Sequence, residues 1–118
     1  MDRRKYIMRA NMIIMNMNKL NEKQLVQAAI ILHEELSVGY PTLADAKNEI
    51  SERLKEEDSY FIAGVIENEV IGWCSILSQY NGNVFELHPL VVSKEHQRKG
   101  YGTILVKEII SIAKKKGG

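Results

Sequence analysis

Phe85-Glu86-Leu87-His88-Pro89-Leu90-Val91-Val92 and, five residues on, Gln97-Arg98-Lys99-Gly100-Tyr101-Gly102 are the segments around which the rest of the chain is organised. The first is rich in β-formers and reads as a strand over 84–92. A period of two puts Glu86, His88 and Leu90 on one face and Leu87, Pro89 and Val91 on the other. Proline has no N–H to give a ladder, so Pro89 inside this run predicts a bulge. Such a bulge turns the Leu90 amide out of the sheet, toward an oxygen of a ligand. The plainer alternative is that Pro89 ends the pairing and His88 is a satisfied surface histidine.

The second segment lies between that strand and a helix predicted over about 100–116. A glycine-containing turn that opens a helix presents backbone N–H groups at the positive end of the dipole, which suits a pyrophosphate. Gly100 and Gly102 permit close backbone approach, Thr103 adds a hydroxyl, and Arg98 and Lys99 add positive charge. The spacing alone recurs by chance in about one chain in ten of this length. Its place directly after the strand is what gives it weight. The turn lacks the Gly-Lys-Ser/Thr ending of a P-loop, and the strand carries no dinucleotide fingerprint.

Upstream, Met12–Met17 reads as a first strand. Asn21 caps a helix to about Leu36, with Leu25, Ala28, Ala29, Leu32 and Leu36 at spacings of three and four. Glu34 and Glu35 fall near its end, where the helix dipole disfavours carboxylates, so another interaction must hold them there. Gly39-Tyr40-Pro41 breaks the helix. Thr42 and Asp45 then form a capping box for a second helix over about 43–56, with Ala46, Ile50, Ser51 and Leu54 on one side. Tyr60–Ile66 and Val70–Leu77 read as two strands, joined by a hairpin at Glu67-Asn68-Glu69 in which Asn68 accepts a positive φ. Asn81-Gly82-Asn83 is a second turn. The last helix places Ile104, Leu105, Ile109, Ile112 and Ala113 on one face. The order β-α-α-β-β-β-α is that of an α+β layered domain with a mainly antiparallel sheet.

The 118 residues suffice for one domain and one sheet. The longest apolar run, Ala28–Leu32, is far below the roughly 20 residues of a membrane helix. The first 20 residues carry four arginines and lysines by Arg9 but no continuous apolar stretch or small-residue cleavage site, so no signal peptide is read. All five methionines lie between 1 and 17, and residues 1–11 are expected to lie outside a domain formed by 12–118. The single Cys74 makes no internal disulfide, and the cytoplasm is the expected compartment.

A net charge of +1 argues against a general nucleic-acid binder. It conceals a segregation of sign. Residues 1–19 carry net +4, residues 20–93 carry four Lys/Arg against twelve acids for −8, and residues 94–118 carry net +5. The pattern suggests two polar environments, an acidic body and a basic tail segment, although each charge by itself is an ordinary surface residue.

Gln97–Gly102 resembles the Q/R-x-x-G-x-G/A acetyl-CoA loop of the GNAT-type N-acetyltransferases, and the helix-helix-meander order before it is similar to the first half of that fold. Glu86–Val92, E-L-H-P-L-V-V, looks like the aminoglycoside 6′-N-acetyltransferases in particular. The resemblance runs from about residue 12 to the end of the chain. It implies a transferase that uses acetyl-CoA as cosubstrate and transfers the acetyl group directly to a primary amine in one ternary complex; His33 and His96 have no ligand partners at metal spacing, so no metal is expected. Leu90 N–H would polarise the thioester carbonyl, and Val92 would pair with the pantetheine arm. Gln97, Arg98, Lys99, Gly100, Tyr101, Gly102 and Thr103 would hold the pyrophosphate. Glu86 would position the attacking amine and help remove its proton, His88 would contact the sugar, and Glu34, Glu35 and Tyr40 would face a polycationic acceptor. Cys74, with no neighbouring histidine, is read as a buried structural thiol.

Members of that superfamily continue with a parallel strand, a further helix and closing strands. The chain is therefore expected to be the N-terminal, cofactor-binding portion, weakly active or inactive alone, with an exposed edge at 84–92 through which it forms a homodimer. Two alternatives stay open: a transferase for another small amine or a peptide terminus, and a non-catalytic module that binds CoA or self-associates. No nucleic-acid or membrane partner is expected.

Overall fold

The computed structural model describes residues 11–56, 59–79 and 84–115. Its elements are β1 (Ile13–Asn16), α1 (Glu22–Glu35), α2 (Leu43–Lys55), β2 (Ser59–Ile66), β3 (Glu69–Gln79), β4 (Val84–Val92) and α3 (Tyr101–Lys115). The four strands form an antiparallel sheet in the order β1-β2-β3-β4. This is the expected β-α-α-β-β-β-α arrangement. The expectation for residues 1–11 falls almost wholly outside the described residues, as does the turn at 81–83.

Local chemistry fixes the element ends. Asn21 accepts from the Gln24 amide at 2.8 Å while the Gln24 side chain takes the Asn21 N–H at 3.0 Å, and Thr42 with Asp45 repeats this exchange on α2. Each box satisfies amides that a helix start leaves open. Between β2 and β3 the turn is two residues long, with φ of 50° at Glu67 and 68° at Asn68. Two left-handed central residues are the I′ geometry whose twist matches the flanking strands. The turn is fastened to α1, where Gln24 Nε2 donates to the Asn68 carbonyl at 3.1 Å and the Val70 N–H donates to Gln27 Oε1 at 3.0 Å.

Period two divides the sheet between two cores. Phe61, Ala63, Val65, Trp73 and Val91 face α1 and α2, meeting Ala28, Ala29, Ile31, Leu32, Ala46 and Ile50. Ile62, Cys74 and Ile76 face α3, meeting Leu105 and Ile109. Trp73 is completely buried, packs on Phe61 with ring centroids 4.8 Å apart, and spends its indole N–H on the Ala28 carbonyl at 2.9 Å. That bond removes the penalty a buried donor would otherwise carry.

Two helix faces differ from the sequence reading. On α3 the buried stripe is Tyr101, Leu105, Ile109 and Ala113, with Ile112 half-buried and Ile104 exposed. Its spacing of four residues throughout selects the narrowest contact with the sheet. On α2 the stripe is Ala46, Ile50 and Arg53, while Ser51 and Leu54 face outward. The Arg53 side chain is 8% exposed, its Nε donates to Glu49 Oε2 at 2.6 Å, and its Nη1 is buried without a hydrogen-bond partner among the described residues. Removing the partner of a buried charge is costly. Glu49→Ala is expected to destabilise the fold by about 2 kcal/mol, below the fully buried range because Glu49 keeps contact with water. Denaturant unfolding of Glu49→Ala beside Glu52→Ala, whose carboxylate pairs with Lys55 in solvent, measures it; equal midpoints would refute it.

Candidate functional site

The bulge anticipated at Pro89 is present. Cys74 lies opposite Leu90 and Ile76 opposite Leu87, so His88 and Pro89 together face Ser75 alone. The extra residue also corrects the expectation that Glu86, His88 and Leu90 share a face. Leu87 and Leu90 pair with Ile76 and Cys74 on the α3 face, while Glu86 pairs with Leu77 and stands exposed on the α1–α2 face. A bulge shifts the alternation by one residue, which a strict period of two omits. The His88 side chain lies outside what is described. Pro89 is buried and Leu90 is 37% exposed.

Backbone direction follows from one bond. The Ser93 N–H donates to the Ile71 carbonyl of β3 at 2.8 Å. Alternation in an antiparallel ladder then directs Ser93 and Val91 at β3, and Val92 and Leu90 at the opposite edge. Among the described residues no strand covers that edge. The Val92 carbonyl is met from there by Gln97 Nε2 at 2.8 Å, and the same nitrogen donates to Glu35 Oε1.

After β4 a short 3-10 turn, Lys94–His96, is closed by a 2.7 Å contact between Ser93 Oγ and His96 Nδ1. Arg98 then has φ 63° and Gly100 φ 87°, one on each side of Lys99. These reversals bring the chain into α3 at Tyr101, with the Ile104 N–H reaching the Gly100 carbonyl at 3.2 Å. Only glycine adopts the Gly100 conformation without strain. Gly102 is freer: a Cβ there would sit 3.6 Å from Val92 and 3.9 Å from Leu90, ordinary contact distances that suit the Gly/Ala choice of the motif. The first turn of α3 has no acidic residue, unlike those of α1 and α2. Arg98, Lys99 and Thr103 are exposed around it, while the Tyr101 side chain is buried, which leaves its backbone as the group able to meet a ligand.

An extended ligand carrying a pyrophosphate fits these features: edge amides at Leu90 and Val92, then positive-φ turns and an acid-free helix N-terminus. The site is an edge and a loop, and among the described residues two clefts lie away from it. One of about 250 Å³ is bordered by Asn16, Arg53, Tyr60 and Ile112, and one of about 300 Å³ lies between α1 and α2.

The acceptor-side expectations are dispersed. Glu34 is exposed, whereas Glu35 is engaged by Gln97. Tyr40 packs against the α1–α2 core, and its carbonyl accepts from His33 Nδ1 at 2.8 Å. Burial raises the Tyr40 hydroxyl above its ordinary value, Glu49 adds to this, and Arg53 opposes it. Among the described residues no group of three His, Cys, Asp or Glu could hold a metal ion, and no helix is long and apolar enough to cross a membrane.

Cys74 is fully buried, with Sγ 3.7 Å from the Leu105 carbonyl, and burial pushes its thiol from 9.0 up to about 12. It is a core group. Below pH 9 both folded and unfolded chains keep the proton; between 9 and 12 only the unfolded chain releases it, so stability falls as pH rises through that window. The denaturation midpoint is expected to drop between pH 8 and pH 10.5 by more in the parent than in Cys74→Ala. Identical drops would contradict this.

The acetyltransferase (GNAT) family profile matches residues 25–118. Among solved structures, an aminoglycoside 6′-N-acetyltransferase complexed with coenzyme A superposes with a TM-score of 0.79 at 25% identity, over 90% of this chain and 57% of that one. The aminoglycoside 6′-N-acetyltransferase from Enterococcus faecium gives the same values. The PaiA N-acetyltransferase from Thermoplasma acidophilum, in complex with coenzyme A, shares the fold with a TM-score of 0.67 at 22% identity, over 90% of this chain and 74% of that one. The chain thus spans 57–66% of the length of the aminoglycoside acetyltransferases it matches. No curated protein sequence matches it. With the family profile over most of its length and the bulged strand, loop and helix in place, the chain belongs to the GNAT acetyltransferase family.

Proposed function

We propose that the chain binds acetyl-CoA along the open edge of β4 and takes part in transferring its acetyl group to a primary amine, the 6′-amine of an aminoglycoside being the favoured acceptor. The observation that carries this reading is the direction of the backbone: Leu90 and Val92 point off the edge beside a basic, acid-free helix start. Acetyl-CoA supplies an activated acyl group. Leu90 N–H donates to its thioester carbonyl, Val92 N–H donates to the pantetheine arm, and the amides from Arg98 to Thr103 meet the pyrophosphate. Glu86 holds the acceptor amine on the α1–α2 face and helps remove its proton, and His88 is assigned to the sugar. The amine nitrogen bonds the carbonyl carbon, the C–S bond breaks, and the thiol leaves with a proton. Alignment of the two reactants supplies most of the rate, on the order of 7 to 11 kcal/mol of barrier.

Calorimetric titration with CoA, followed by thiol release from acetyl-CoA with an aminoglycoside and with a simple polyamine, tests the reading. Binding with aminoglycoside-dependent release supports it. Release with the polyamine alone favours a different amine, and binding without release leaves the chain a CoA-binding module.

A second copy pairing along β4 would use the same edge groups. Self-association is therefore placed in competition with CoA: light scattering is expected to show dimers that dissociate as CoA is added. A dimer indifferent to CoA would put the contact elsewhere.

A further inference from the structure

We propose that Glu35 is a positioning residue of the 97–103 loop, acting through Gln97, and not a subsite for a cationic acceptor. The Gln97 carboxamide nitrogen has two hydrogens, and both are assigned: one goes to the Val92 carbonyl at 2.8 Å, the other to Glu35 Oε1. With both engaged, the side chain has one orientation. It joins three parts of the fold: the last residue of α1, the last residue of β4 and the start of the loop. The backbone turns left-handed at Arg98 immediately afterwards, so the place of Gln97 sets where the next amides begin.

The contact also explains an oddity of sequence. A carboxylate at a helix C-terminus is disfavoured by the dipole, yet α1 ends Glu34-Glu35. A charge-assisted bond to a carboxamide offsets that cost. Glu34 stays exposed while Glu35 is half-buried. The pair is separated by 62 residues in the chain, so it couples the helical layer to the strand edge. Because the Val92 carbonyl belongs to the same outward-facing peptide row as the Leu90 amide, the tether fixes the spacing between that edge and the loop.

The affinity consequence rests on the acetyl-CoA reading, whereas the tether itself does not, and two readouts separate them. Amide hydrogen exchange over 98–103 is measured in the parent, Glu35→Ala, Glu35→Gln, Gln97→Ala and the double alanine variant. CoA and aminoglycoside affinities are measured calorimetrically on the same set. Glu35→Gln keeps an acceptor oxygen and removes the charge. Faster exchange and about fivefold weaker CoA binding are expected for each alanine variant. Glu35→Gln is expected within about twofold of the parent, and the double variant no worse than Gln97→Ala. Aminoglycoside affinity stays at the parent value in Glu35→Ala. If Glu35→Gln matches Glu35→Ala, or if aminoglycoside affinity falls with the charge, the proposal is overturned. If the parent binds no CoA, the cofactor reading fails, and the tether still stands or falls on exchange in Glu35→Ala against Glu35→Gln.

Discussion

Leu90→Pro is expected to lower acetyl transfer by about 10²- to 10³-fold, the usual cost of deleting one donor to a developing oxyanion, while the chain stays folded. The reasoning rests on which way single amides point. Leu90 N–H is directed off the sheet, so its loss takes no bond from the β3–β4 ladder, and its partly exposed side chain contributes little to the core. Leu90→Ala, which keeps the N–H, is the matched control and is expected to retain most of the rate. Val91→Pro one residue on removes an N–H that faces β3 and a side chain that is 3% exposed, and is expected to unfold the domain. Circular dichroism and thiol release on the three variants decide it. Equal rates for Leu90→Pro and Leu90→Ala would remove the Leu90 amide from the chemistry.

Glu86→Gln is the second large effect. The carboxylate stands exposed on β4, and the bulge sets it on the face opposite the Leu90 side chain. A thioester held at the edge by the Leu90 amide is then open to an amine approaching over the α1–α2 face, where Glu86 is the charged group of the strand. Gln keeps size and one acceptor oxygen but can neither balance an ammonium nor take up a proton. Turnover is expected to fall by about 10²-fold or more, with CoA affinity unchanged because the loop and edge are untouched. An unaltered rate would assign amine activation to another group; a parallel loss of CoA affinity would make Glu86 part of the cofactor site.

What was legible in the sequence is what depends on neighbours. The Thr42–Asp45 box acts across three residues and formed as read, and Asn21 caps α1 as read, with Gln24 adding the return bond that makes it a box. Asn68 took a positive φ, although the turn proved to be Glu67–Asn68. Pro89 announced its bulge because a missing donor is a property of one residue. The consequences of that bulge were not legible, since a single inserted residue reverses every facing downstream and separated Glu86 from Leu90. The buried Arg53 also escaped notice: a long aliphatic stem lets a cation occupy an apolar stripe, and although its pairing with Glu49 is a local i,i+4 contact, only the fold closes over the guanidinium. Glu35 was marked by its awkward place at a helix end, but its partner lies 62 residues away. His33 binds the Tyr40 carbonyl, a contact that depends on how the turn after α1 brings the chain back.

The charge segregation acquires a physical meaning from the same geometry. The basic segment from Lys94 onward contains the loop proposed for the pyrophosphate, and the acidic body contributes Glu86, exposed on the α1–α2 face of β4. A basic loop and an exposed carboxylate on the same strand and its continuation suit an anionic and a cationic reactant meeting there.

The most direct test of this account is thiol release from acetyl-CoA in the presence of two aminoglycosides that differ only at the 6′ position, one bearing an amine and the other a hydroxyl. Release with the 6′-amine and none with the 6′-hydroxyl is the predicted result. Equal release with both, or none with either while CoA still binds, would contradict it.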